Sequence, residues 1–133
     1  MDQTTPNSLP DIRHTFTFNA PIQKVWDAVA TSEGMEAWFM PNDFQPVEGA
    51  EFYLDAGPWG KNLCKVIELD PPNRLSFKWA KSWVITFELR DLGGSTEFTL
   101  THAGWDAADK GPHTNMSRGW GEIGQRLGKY VEA

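Results

Sequence analysis

Residues 116–130 read MSRGWGEIGQRLGKY. Met116, Trp120, Ile123, Leu127 and Tyr130 step along this stretch by 4, 3, 4 and 3 residues, the spacing that places five apolar side chains on one face of an α-helix. Burying each is worth about 1.5–3 kcal/mol before entropy is charged, against roughly 1 kcal/mol lost for each interior glycine. Gly119, Gly121, Gly124 and Gly128 therefore do not veto the helix. Two explanations fit them, close approach of sheet backbone or space left for a ligand.

That apolar face needs a surface to cover it, and the preceding chain supplies one. Turn signals at Gly57-Pro58-Trp59-Gly60, Pro71-Pro72-Asn73, Ala80-Lys81-Ser82 and Gly93-Gly94 separate runs that alternate with a period of two. Strands are predicted at 51–55, 61–69, 74–79, 83–90 and 95–102, with room for one more around Val47. Their inner faces carry Leu75/Phe77/Trp79, Trp83/Ile85/Phe87/Leu89 and Phe98/Leu100/His102. An earlier strand starts near Asp11, where Ile12, His14, Phe16 and Phe18 alternate with Arg13, Thr15 and Thr17. After Ala20-Pro21 the rhythm becomes helical through Ile22, Val25, Trp26 and Val29, giving a helix over about 21–30. Thr31 and Ser32 cap a second short helix that runs through Ala37. Residues 103–112 read as a loop. The fold class is α+β: an antiparallel sheet of six to seven strands, two short helices after the first strand, and a long C-terminal helix. Residues 1–10 read as a flexible tail and 11–133 as one domain.

Composition narrows the functions. The chain has 133 residues, enough to bury roughly two thirds of its unfolded surface in one core. Twelve basic residues against 18 acidic ones leave a net charge of −6, which repels phosphate backbones, so nucleic acid is not an expected partner. No run approaches about 18 apolar residues and the N-terminus lacks a secretory pattern, so neither membrane insertion nor secretion is expected. A lone Cys64 excludes an internal disulfide, and the cytoplasm is the simplest location. Seven Trp and eight Phe are an unusual load of large flat rings for this length.

The element order and several short motifs resemble a known family. Ala20-Pro21 with Val25-Trp26, the segment from Thr31-Ser32-Glu33 to Trp38, Asp70-Pro71-Pro72 with Leu75 and Trp79, Thr101-His102-Ala103-Gly104-Trp105, and Gly119-Trp120 with Leu127 and Tyr130 carry the likeness. They resemble the activator of heat-shock-protein-90 ATPase homologue-like family of the START-like, or SRPBCC, superfamily. The resemblance spans about residues 11–132. It implies the helix-grip fold, in which a strongly bent sheet wraps the last helix. It also implies a cavity between the two that takes lipids, polyketides, hormones or other largely apolar molecules. It implies no particular reaction, because a fold is not a function. The eukaryotic activator behind the family name carries a further N-terminal domain for which this chain has no length, so a chaperone partner is not expected.

Trp38, Phe39, Phe52, Trp79, Trp83, Phe87, Trp105 and Trp120 fall on inner faces or at the openings of such a cavity, joined by Met116 and Ile123 from the long helix. Rings of this kind stack on flat ligands or fill an ordinary core. His102 points inward at the end of the last strand, where it reads first as a core histidine hydrogen-bonded to backbone or water, and otherwise as a ring nitrogen that can bond a ligand or move a proton. His14 also faces inward, and in a helix-grip sheet the two rings are positioned to meet. His113 reads as exposed and Cys64 as a small buried hydrophobe. The three histidines show no metal-ligand spacing. Asp43, Glu48, Glu51 and Asp55 read as solvated acids rather than a catalytic pair. No cofactor is expected.

The leading expectation is a binding protein, monomeric or weakly homodimeric, for an apolar, lipid-like or polyketide-like molecule. A cyclase or dehydratase using His102 as acid and base is a second reading. A protein-interaction module presenting Met35, Trp38, Phe39 and Met40 as an exposed patch is a third, although these four residues more simply form the cavity's lid.

Overall fold

The structure is a computed structural model and describes residues 9–80 and 82–133. Eight residues of the expected tail lie outside the described residues, as does Lys81. The order of elements is β1 (Ile12–Phe18), α1 (Ile22–Val29), α2 (Ser32–Trp38), β2 (Glu51–Asp55), β3 (Lys61–Asp70), β4 (Arg74–Trp79), β5 (Trp83–Asp91), β6 (Thr96–Ala103) and α3 (Lys110–Glu132). All six strands form one antiparallel sheet in the order β1-β6-β5-β4-β3-β2. With two short helices after the first strand and α3 against the sheet, this is the helix-grip arrangement.

Local chemistry accounts for the boundaries. Pro21 accepts from the backbone N–H groups of Lys24 and Val25 as α1 begins. Thr31 caps α2, its Oγ1 accepting from Gly34 N at 3.0 Å. α3 starts at Lys110, within the stretch read from sequence as loop, and Pro112 occupies its first turn. Proline is tolerated there because its missing N–H would lack an intrahelical partner anyway. A short 3₁₀ turn with a capping box leads in, Asp106 accepting from Ala108 N and Asp109 from Asp106 N. The extra strand expected around Val47 is absent. Val47 lies outside the six strands with more than half its surface exposed.

Inward alternation is cleanest on β6, where Thr96, Phe98, Leu100 and His102 are buried and their neighbours are not. On the outer face Arg74 is paired with Glu68 and Glu88. Along α3 the buried residues are Trp120, Gly124, Leu127, Gly128 and Val131, whereas Tyr130 is exposed. The 4-3-4-3 spacing averages 3.5 residues, and a straight helix drifts about 20° per heptad against that repeat. Two heptads beyond Met116 the drift has carried Tyr130 off the core face, and Val131 replaces it.

The glycines of α3 divide by neighbour. A Cβ on Gly124 would run into the ring of Phe16, and one on Gly128 would sit 3.0 Å from Phe18, so these two let aromatic rings of β1 lie against the helix backbone. Gly119 faces open space. Gly119→Ala is therefore expected to raise unfolding free energy by about 1 kcal/mol through helix propensity. Gly124→Ala is expected to lower it, because displacing a packed ring costs roughly 1–3 kcal/mol and outweighs that gain. Urea denaturation midpoints at unchanged m-value measure both, and a Gly124→Ala protein as stable as Gly119→Ala would contradict the close-approach account.

Candidate functional site

A cavity of about 700 Å³ opens between the end of α2, the β4–β5 end of the sheet and the first turns of α3. Of the residues expected from sequence to hold a ligand, Phe39, Trp79, Trp83, Met116 and Ile123 line it. Sequence reasoning placed Met40 at the cavity only as part of a lid, and did not assign Ala56, Asn62, Gly111, Pro112 or Asn115 to the lining. A signal for Asn62 existed, since it shares the inward alternation of Cys64 and Val66. Gly111 and Pro112 were hidden by reading the helix start as loop, whereas Asn115 is polar and falls outside the apolar spacing of the helix. Among the described residues no charged side chain lines the cavity, and its polar side chains are the Asn62 and Asn115 amides.

The other expected residues sit behind or below it. Trp38, Phe52, Phe87 and Trp120 are fully buried in the closed core. Trp38 donates its indole N–H to Ala28 O at 2.7 Å and stacks on Phe39. Met35, Trp38 and Phe39 are buried and Met40 half-buried, so this segment is not the exposed patch that the interaction-module reading requires.

His102 is the centre of an aromatic cage. Its ring is 4.4 Å from Trp105, 4.7 Å from Trp83, 5.9 Å from Trp120 and 6.0 Å from Trp79, centroid to centroid. Gly104 makes the cage closable. Its φ of +90° and its contact with the Ser82 carbonyl leave no place for a Cβ, and the turn brings Trp105 back to donate Nε1–H to His102 O at 2.9 Å. Trp120 donates Nε1–H to His102 Nδ1 at 2.8 Å. An indole only donates, so Nδ1 is the acceptor and the ring proton lies on Nε2. That Nε2 is buried without a partner among the described residues. Burial, with a smaller contribution from nearby His113, lowers the His102 pKa to about 3.

The histidines do not come together as expected. In the β1–β6 register Ile12 faces His102 and His14 faces Leu100. His14 stacks on Phe16 and donates from Nε2 to Ser117 O at 2.8 Å. His113, half-buried, donates to Pro10 O and packs edge-on against Trp105. Cys64 is buried on β3, three strands away from His102, and desolvation with the nearby Asp43 pushes its thiol up to about 12. Among the described residues no three His, Cys, Asp or Glu side chains gather as a metal site. No described helix is long and apolar enough to cross a membrane.

A curved sheet gripping a long helix, with an apolar cavity at one end, defines a START-like protein. The model of the family described as Activator of Hsp90 ATPase homolog 1-like protein matches residues 19–132, and the chain belongs to that family. Protein BH1534 of Bacillus halodurans is 40% identical, with a TM-score of 0.87 over 95% of this chain and 99% of that one. The Aha1 dimer of Colwellia psychrerythraea is 20% identical, with a TM-score of 0.83 over 93% and 97%. DynU16, from the dynemicin biosynthetic locus, is 22% identical, with a TM-score of 0.81 over 92% of this chain and 47% of that one. Below 25% identity these likenesses carry the fold alone. No curated protein matches the sequence.

A neutral buried histidine makes stability depend on pH. Because the folded-state pKa lies near 3 and the unfolded value near 6.5, the unfolded chain takes up the proton first. The His102 contribution is complete above about pH 6.5 and is lost as pH falls toward 3, with a slope of at most about 1.4 kcal/mol per pH unit. His102→Gln keeps an acceptor for Trp120 and removes the titration. Its melting temperature is expected to fall less steeply between pH 6.5 and 4 than that of the wild type, and parallel curves would contradict the assignment.

Proposed function

We infer that the protein binds a flat, largely apolar and uncharged small molecule in the cavity beside α3. The observation that carries this reading is the lining itself, in which Phe39, Trp79 and Trp83 offer ring faces and edges and, among the described residues, no charged side chain stands to pair an ionised group. Burying a carboxylate there would leave it without a cationic partner, at a cost of several kcal/mol. Planar polyketide-like molecules with hydroxyl or carbonyl groups therefore suit the site better than fatty acids. The Asn62 and Asn115 amides supply both donors and acceptors for such groups.

An acid–base reaction at His102 is poorly supported, because its Nδ1 is occupied by Trp120 and the ring stays neutral down to about pH 3. The family name does not by itself bring a chaperone partner to this chain.

Titration with flavone and with palmitate, followed by tryptophan fluorescence and melting temperature, tests the reading. Flavone is expected to quench Trp79 and Trp83 emission and to raise the melting temperature, and palmitate to do neither. Met116→Glu, at a half-buried lining position, is expected to weaken flavone binding at least tenfold with little change in the melting temperature of the free protein. Flavone binding unaffected by this substitution, or palmitate binding of equal strength, would overturn the proposal.

A further inference from the structure

His102 presents a hydrogen-bond donor that the fold leaves unused. Its side chain has no solvent exposure, its Nδ1 is held by Trp120, and Nε2 has no partner among the described residues. A buried N–H left unsatisfied costs about 1–3 kcal/mol, and a weak contact with an indole face recovers only part of that. Two of the four indoles caging the ring, Trp79 and Trp83, are also walls of the cavity. Trp79 is almost wholly buried, whereas Trp83 is half-buried. Trp83 packs on His102, Trp79 and Trp105 at the start of β5. It borders both the His102 ring and the cavity.

We propose that His102 Nε2–H is the polar anchor of the site, reached when Trp83 turns aside, and that it selects ligands carrying a neutral acceptor oxygen, a ring carbonyl above all. This rests on the cavity reading and adds to it a named atom, a gate and a ligand chemistry. The neutral ring donates without taking up charge, so it favours a carbonyl over a hydrocarbon of the same shape. Trp120 fixes the tautomer that makes this possible, since its N–H can bond only to a bare Nδ1. Trp120 is thus a positioning residue and His102 the contacting one.

The pair 9-fluorenone and fluorene separates the anchor from the cavity. The two have the same three fused rings and differ in one carbonyl oxygen. Each is titrated into the wild-type protein, with tryptophan fluorescence reporting affinity and long-range proton–nitrogen NMR reporting the His102 Nε2–H resonance. Fluorenone is expected to bind about tenfold more tightly, the equivalent of roughly 1.4 kcal/mol, and to move the Nε2–H signal downfield, while fluorene leaves it in place. In Trp83→Ala, with the indole removed, fluorenone is expected to associate faster and to retain the shift. Equal affinities with an unmoved Nε2–H signal would overturn the anchor and leave the cavity reading intact. Binding of neither compound would overturn both. Fluorenone binding with a shift confined to the Asn62 and Asn115 amides would assign the carbonyl to them and also overturn the anchor.

Discussion

The hydrogen bond from Trp120 to His102 joins the middle of α3 to the end of β6, and the interior is arranged around it. It is fully buried, so removing either partner strands the other at a cost of about 1–3 kcal/mol. Around it Trp79, Trp83, Trp105 and Phe39 pack ring against ring at centroid distances of 4.4–6.3 Å. Such pairs prefer tilted and edge-on geometries and contribute roughly 0.5–1.5 kcal/mol each beyond area burial. Three of the buried indole N–H groups, on Trp38, Trp105 and Trp120, each find an acceptor. A core so rich in tryptophan is tolerable only because those donors are satisfied.

The same helix closes one side of the interior and leaves the other open. Where α3 meets β1, Gly124 and Gly128 admit Phe16 and Phe18 against the helix backbone, and the contact is tight. Around the helix from that stripe, Met116 and Ile123 face the cavity with Phe39 and Met40 across from them. The glycines that permit the tight side are therefore not the ones that make the space. The space comes from the lack of any large side chain at Gly111, Ala56 and Asn62. Its apolar walls, with no charged side chain among the described residues, are what the proposed binding of a neutral ring system rests on.

The sequence by itself determined the elements and most of their faces. Period-two alternation places Phe98, Leu100 and His102 on one side of β6 because a strand's side chains have no other choice. Helical spacing identified α3 and its central Trp120 for the same kind of reason, local geometry that every peptide obeys. It also mistook Tyr130 for Val131, because a 3.5-residue pattern hides the slow drift of a straight helix. Only the tertiary structure decided which inward aromatic residues line space and which fill core. Trp38, Phe52 and Phe87 obey the same alternation or helical spacing as Trp79 and Trp83, yet the first three lie in closed packing and the last two border the cavity. That difference depends on how far helix and sheet stand apart at each point, a property of the packed layers together. So does the state of His102, whose neutral ring and idle Nε2 follow from an indole donor 18 residues away in the chain.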